Sequence, residues 1–308
     1  MTSKNGALAP TGSACLQKAE IAFRDALQNA FGALDWLPVA DGEIHRFHVP
    51  GDRAGSHNGW YLLFADGIAA GCYGSWKTGA SHTWCSRQPS SPLEAEQLRQ
   101  RMQQARQQRE AEQRQRRQAA AQHAQRLWRD ARRADPAHSY LQAKQIRPHG
   151  LRQHRDRLLV PLYCDGQLVN LQRIATDGGK LFLAGGQVKG CYSPLGIISA
   201  DRPLLICEGW ATGATLHQYS GAAVACAMNA GNLMAVARAL RARYPSANIQ
   251  IAGDDDRQTD GNPGRTAATA AALAIGSQIV FPHWPDDAPP HLTDFNDLAV
   301  WMASHEQA

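Results

Sequence analysis

Two acidic groups in the last third of this chain stand where apolar runs stop. The run PLLIC (203–207) ends in Glu208-Gly209, and the run NIQIAG (248–253) ends in Asp254-Asp255-Asp256. Side chains alternate in an extended stretch, so Asp254 and Asp256 share a direction. Two carboxylates held that way repel unless a cation stands between them. Mg²⁺ answers that need, because it takes oxygen ligands, keeps several waters and bridges to phosphate. Gly209 has no Cβ, so a backbone or a phosphate can come close to it. Gly261 and Gly264 loosen the turn before the next helix. By itself, the aspartate triplet reads first as a solvated loop with an Asp capping a helix. Glu-Gly ending one run and Asp-x-Asp ending another, in that order, argues for a metal site made of Glu208, Asp254 and Asp256.

Such a site needs a scaffold that brings both run ends to one place. From Arg202 onward short apolar segments alternate with helical ones: PLLICE, ATGATLHQY, AAVACAM, NLMAVARALRARY, NIQIAG, RTAATAAALAI, QIVFP. That alternation predicts a parallel sheet with right-handed crossovers. Ligands of such sheets bind at the carboxyl ends of the strands. Glu208 and Asp254 are 46 positions apart, the length of about two strand–helix units, so neighbouring strands would put them on one rim. Ahead of this unit, residues 137–198 read as a short helix (HSYLQAKQI) and three strands: LLVPLY, LVNLQRI after the turn Asp165-Gly166, and KLFL.

The chain is 308 residues long with a formal net charge of +5, and the charge is localised. Residues 93–134 hold eleven Arg against five acids, and the rest is nearly balanced. A basic block of this kind fits a nucleic-acid partner or a solvated linker. It is rich in Gln, Arg, Ala and Glu, all good helix formers, and a single helix would be roughly 60 Å long. An antiparallel helix pair is the alternative. In front of it, Ile21, Phe23, Leu27, Phe31 and Leu34 predict a helix over 19–36, after a weakly ordered stretch at 1–18. Residues 43–86 predict short antiparallel strands with Asp66-Gly67 as a hairpin turn. The expected organisation is 1–92 for the helix and β-rich module, 93–135 for an Arg/Gln-rich helical linker, 136–198 for a small basic subdomain and 199–308 for the catalytic unit.

Seven scattered Cys without a CxxC pair predict reduced thiols. No apolar run approaches the roughly 20 residues of a membrane span. The expectation is a cytoplasmic protein without a membrane partner. His45, His48, His57, Cys72, His82 and Cys85 lack zinc-ribbon spacing, so structural zinc is not expected. Trp60, Trp76 and Trp84, with Lys77 and Arg87, read either as a stacking platform for single strands or as the core of the small module. No GxxxxGK[ST] motif occurs, so any helicase partner is a separate chain.

Residues 199–301 resemble the Toprim domain shared by bacterial primases, topoisomerases and some nucleases. Glu208-Gly209 matches its first motif, Asp254 and Asp256 its second, and the trailing DFNDL (294–298) resembles the end of Toprim domains in phage- and plasmid-type primases. Many cellular primases have an Asp shortly after Glu-Gly, where this chain has Trp210, Ala211 and Thr212. The stretch GQLVNLQRI, GGKLFL, VKGCYSPLG resembles the subdomain that precedes Toprim in primases, with Arg173, Lys180 and Lys189 at its basic positions. The resemblance implies an α/β fold: a parallel Toprim sheet with flanking helices, preceded by a small α+β subdomain, a long Arg-rich helix and a β-rich module. It implies a primase of the mobile-element type that makes short primers on single-stranded DNA from nucleoside triphosphates. Mg²⁺, with Mn²⁺ as substitute, would be held by the acidic trio. Arg173, Lys180, Lys189 and Gly209 would bind substrate. A Toprim nuclease shares the trio but has no need of the basic positions. A non-catalytic single-strand-binding accessory would not need the trio.

Overall fold

A computed structural model describes residues 12–305, so the N-terminal stretch expected to be weakly ordered lies largely outside the described residues. The chain divides into two compact units, 1–114 and 115–308. In the first, helix α1 (Gly12–Phe31) lies against a four-stranded antiparallel meander of β1 (His45–Phe47), β2 (Gly59–Phe64), β3 (Ala70–Ser75) and β4 (Ser81–Cys85). The helix begins and ends earlier than the apolar spacing predicts. Phe23 and Leu27 are its buried face, and Leu34 and Trp36 reach the same core from the loop beyond it. The β2–β3 hairpin turns at Gly67, whose φ of 70° suits glycine.

Helix α2 (Pro92–Asp130) follows as one uninterrupted helix of 39 residues, not an antiparallel pair. Its start is capped. Ser91 Oγ accepts from Glu94 N at 3.2 Å, and Glu94 accepts from Ser90 N at 2.8 Å, with Pro92 at the first helical position. Nor is it a free linker. In the first unit Ala105 is buried against Trp60, Leu62 and Cys72. In the second, Ala124 packs with Leu159, Leu171 and Leu183. Alanines at these points let the helix come close to sheet residues, and Arg101 and Arg109, one turn either side of Ala105, bind Asp66 and Ser81 of the same unit.

The three tryptophans belong to the first unit's core. Trp60 is buried with Trp76 tilted over it at 5.6 Å, and Trp84 meets Phe23 edge-on at 5.2 Å. Lys77 is paired with Asp52 and Arg87 with Glu94. These rings pack within the module's core, as the core reading expects.

The second unit holds two sheets. One is antiparallel and follows chain order: β5 (Arg132–Arg133), β6 (Arg152–His154), β7 (Arg157–Cys164), β8 (Gln167–Ile174) and β9 (Lys180–Phe182), with the short helix α3 (Ser139–Ala143) inserted after β5. The other sheet comprises β10 (Ser193–Leu195), β11 (Leu204–Cys207), β12 (Ala223–Cys226), β13 (Ile249–Ala252) and β14 (Gln278–Val280), in the order β10-β12-β11-β13-β14. Four of its strands are parallel, and the edge strand β10 runs antiparallel to β12. Helix α4 (Trp210–Ser220) covers one face, where Trp210, Ala211 and Ala214 meet Leu205, Cys207 and Val224. Helices α5 (Ala230–Arg243) and α6 (Pro263–Ile275) cover the other, against Leu204, Ile206, Ile249 and Ile251. Strands buried on both faces read as unbroken apolar runs, which is the pattern of 204–207 and 223–226. The last helix, α7 (Phe295–His305), packs on α4. Leu158, Val160 and Ile174 of the antiparallel sheet share the core on the α4 side. Among the described residues no helix is long and apolar enough to cross a membrane.

Candidate active site

The strand order decides where the acids meet. β11 pairs directly with β13, with Cys207 opposite Ala252. Glu208 and Asp254 therefore leave neighbouring parallel strands at the same rim.

The aspartate triplet splits as period two requires. Asp255 is buried and turns away, accepting from Asn262 Nδ2 at 2.8 Å, Arg265 Nε at 3.0 Å and Trp284 Nε1 at 3.2 Å. Burial pushes its proton affinity up, but these donors outweigh it and hold the carboxyl below its ordinary range. Asn262 shapes this loop from a left-handed backbone (φ 40°), and its Oδ1 accepts from Asp256 N at 2.9 Å and Arg265 N at 3.2 Å. Asp256 Oδ2 accepts from Gly264 N at 2.8 Å, at the start of α6. A Cβ on Gly264 would lie 2.7 Å from that oxygen and 3.0 Å from Asp254 O, so glycine is needed for closeness here.

Asp254 faces the opposite way from Asp255 and is pushed up to about 8, first by burial and then by Asp294, Glu208, Asp256 and Asp297. Its Oδ1 is buried without a hydrogen-bond partner. Glu208 is also raised, by burial and then by Asp256, and the Ala230 N–H at the start of α5 works against this. Met228, which donates its N–H to Glu208 O at 2.7 Å, holds a left-handed backbone (φ 73°). Strain of this kind persists where surrounding structure enforces it.

A fourth acid joins the group. Asp294, between β14 and α7, accepts from Thr212 Oγ1 at 2.9 Å. Burial and Asp297 raise its proton affinity. Thr212 is one of the residues standing where many cellular primases have an acid. Here it is a donor that orients a carboxylate arriving from the other end of the domain. Asp297 in turn takes Lys144 Nζ at 3.0 Å. Sequence reasoning noted DFNDL without assigning Asp294 to the site. The available signal was local: Asp294 Oδ1 accepts from Asp297 N at 2.8 Å, an N-cap ahead of an apolar helical run.

The basic positions part company. Lys180 faces the acids: burial and Lys144 lower its proton affinity, while Asp294, Glu208 and Asp254 raise it. Its ammonium lies 5.7 Å from the Tyr140 ring centre. Arg173 pairs with Leu181, and Ile174 pairs with Lys180, so alternation puts Arg173 on the other face of the sheet. That face is the one Leu171 presents to α2, and Arg173 Nε is buried there without a partner. Lys189 is exposed on a loop pinned by the buried Asn232 of α5. Asn232 Oδ1 accepts from Gly190 N at 2.7 Å, and its Nδ2 donates to Val188 O, Cys191 O and Ala227 O at 3.1, 2.9 and 2.8 Å. Gly209 caps α4 with extended backbone, and a Cβ there would press on Thr212 Oγ1 at 3.3 Å.

The donor set suits a hard cation. It is all carboxylate, it carries an unpartnered buried oxygen, and mutual repulsion raises its proton affinities, which an ion would reverse. Among the described residues no three His, Cys, Asp or Glu side chains stand ready-made as a ligand cage. Mg²⁺ needs only one or two protein carboxylates when water and phosphate complete its shell. The zinc candidates of the first unit are otherwise engaged in part: His45 bonds Asp41 and His48 bonds Ser56 O.

Residues 203–303 match the family model of the Toprim domain. Two curated relatives, both described as DNA primase TraC of Escherichia coli, align with most of the chain. One is 34% identical over 274 residues, 82% of this chain and 26% of the relative. The other is 37% identical over 265 residues, 80% of this chain and 18% of the relative. The chain spans about a quarter or less of the length of these relatives. Among solved structures, the Aquifex aeolicus primase (zinc-binding and RNA polymerase domains) aligns with a TM-score of 0.41 at 12% identity, covering 97% of this chain and 84% of that one. The DnaG catalytic core aligns with a TM-score of 0.37 at 16% identity, covering 63% and 79%.

Proposed function

With residues 203–303 established as a Toprim domain, we propose that this chain is the nucleotidyl-transfer part of a DNA primase. It would make short primers on single-stranded DNA from nucleoside triphosphates. The carrying observation is the convergence of Glu208, Asp254, Asp256 and Asp294 on one rim, with Lys180 of the preceding sheet turned toward them. A nuclease shares the acids, but an exposed lysine on a separate sheet, its charge coupled to theirs, suits a site that must also seat a triphosphate or template phosphate.

Asp254 and Asp256 would hold Mg²⁺, which when bound neutralises triphosphate charge and aligns the reacting oxygens. Glu208, with its raised proton affinity, is suited to take the proton of the attacking 3′-hydroxyl. Thr212 and Asp297 orient Asp294, whose charge keeps the site selective for cations. Lys180 binds a phosphate oxygen at the edge of the site. Lys189, at the surface, reaches for the phosphate backbone of the template. Gly209 leaves room for the substrate at the start of α4. Arg173, on the far face of its sheet, is assigned no substrate contact.

The test is a priming assay on single-stranded DNA with labelled nucleoside triphosphates and Mg²⁺, run beside the Asp254→Ala/Asp256→Ala double variant. Short labelled oligonucleotides from the unaltered protein alone are expected. Metal-dependent shortening of the template without synthesis would replace the primase reading by a nuclease.

A further inference from the structure

The two sheets of the second unit are joined at one backbone bridge outside the site, and a pair of thiols flanks it. Tyr163, near the end of β7, and Tyr192, just before β10, exchange both backbone hydrogen bonds: Tyr163 N to Tyr192 O at 2.8 Å and Tyr192 N to Tyr163 O at 3.1 Å. In an antiparallel pairing the next residues outward face each other without backbone bonds, with Cα atoms about 4.5 Å apart and side chains on the same side. Those residues are Cys164 and Cys191. The Cys164 thiol raises the proton affinity of the Cys191 thiol, as a close neighbour would. A disulfide needs a Cα separation of about 4.4–6.8 Å, so this pair can close with little backbone movement.

We infer that Cys164 and Cys191 form a reversible disulfide when the protein meets a small-molecule disulfide, clamping the Lys189 loop to the end of β7. The two thiols differ in a way that sets the order of events. Cys164 is half-exposed beside the turn Asp165-Gly166, whereas Cys191 is fully buried. Burial pushes Cys191 up to about 12, so it does not react first. The Cys164 thiolate attacks the incoming disulfide, forming a mixed disulfide and releasing one small thiolate. Cys191 then attacks the Cys164 sulfur. Its proton passes to the departing second thiolate. Two protein S–H groups are replaced by one S–S bond, and the small disulfide is reduced to two thiols.

The fold supplies an internal control. Cys207 and Cys226 are also register partners, on β11 and β12, and both thiols lie against Gly213 of α4. Both are fully buried between α4 and the sheet, where no oxidant arrives. The bond would close a covalent loop around β8, β9 and the segment that carries Lys189, which is held at present by Asn232 and by Gln187, whose Nε2 donates to Cys164 Sγ at 3.6 Å.

The experiment treats the folded full chain with oxidised glutathione at about pH 8 and maps disulfides by peptide mass spectrometry without reduction. A 164–191 cross-linked peptide with loss of two hydrogens is expected, together with a rise in the unfolding midpoint of ~5 °C that dithiothreitol reverses. Cys191→Ser should instead retain glutathione on Cys164, and Cys207→Ser should cross-link like the unaltered protein. Glutathione persisting on Cys164 of the unaltered protein, the absence of any reaction at Cys164, or a cross-link at 207–226 in its place would each overturn the inference.

Discussion

Replacing Asp254 by Asn should stabilise the metal-free protein, and by an amount that depends on pH. The carboxyl is pushed up to about 8 from an ordinary 3.8, by burial and by Asp294, Glu208, Asp256 and Asp297. Each unit is ~1.4 kcal/mol of preference for the neutral form. An acid whose proton affinity is raised by folding costs the folded state nothing below its unfolded pKa, and the cost grows as pH climbs toward the folded value. The ceiling is therefore ~6 kcal/mol near pH 8 and ~2 kcal/mol near pH 5. Rearrangement of water and side chains around the cluster roughly halves both figures. Asn is nearly isosteric and uncharged, so it should raise the unfolding midpoint in EDTA by about 8 °C near pH 8 and about 3 °C near pH 5. Added Mg²⁺ should narrow the gap, because an ion that binds only the folded state stabilises the unaltered protein and not the variant. Thermal melts of both proteins at the two pH values, with EDTA and with ~10 mM Mg²⁺, measure all four quantities. A destabilised variant, or a gain that does not grow between pH 5 and 8, would refute the picture of a carboxylate cluster held together against its own repulsion.

Further outcomes follow from single contacts. Lys180→Met should cut primer yield at least ~10-fold through a lost charged phosphate contact, whereas Arg173→Met, on the other face, should leave it within ~2-fold. Equal losses would mean that both residues contact the phosphate despite facing opposite sides of the sheet. Gly264→Ala puts a Cβ 2.7 Å from Asp256 Oδ2, and should weaken Mg²⁺ ~10-fold by displacing that carboxylate, as read from the Mg²⁺ dependence of the melt. Asn232→Ala leaves the Gly190 N–H and the Cys191 and Ala227 carbonyls without their side-chain partner in a buried place, while Val188 O keeps the Cys191 N–H, which should cost ~3 kcal/mol in denaturant unfolding. Asp255→Asn should be destabilising at neutral pH and lose its effect in acid, because the lowered proton affinity of Asp255 stabilises the fold only above its unfolded pKa.

The residues show unevenly how far a linear reading reaches. The alternation after Arg202 predicts the strands 204–207, 223–226, 249–252 and 278–280 and the helices between them, because each apolar face has a local period. The split of Asp254 and Asp256 from Asp255 follows from the same period. The antiparallel edge strand β10 and the short strands β5 and β6 leave no such signal, since Ser-Pro-Leu, Arg-Arg and Arg-Gln-His contain no apolar run. Helix α2 was legible as a helix, but its burial was not, because alanine at 105 and 124 looks the same facing solvent as facing a sheet.

The amino-acid order alone determined which side chains are acidic, where the apolar runs end and which way neighbours in a run point, all consequences of local geometry. Tertiary structure alone decided that β11 lies beside β13, so that Glu208 and Asp254 share a rim. It also decided that Thr212 meets Asp294 across 82 positions, and that Lys180 faces the acids while Arg173 does not. Strand order and cross-domain contact arise from how whole faces are buried against one another, and no window of sequence contains both partners of such a contact.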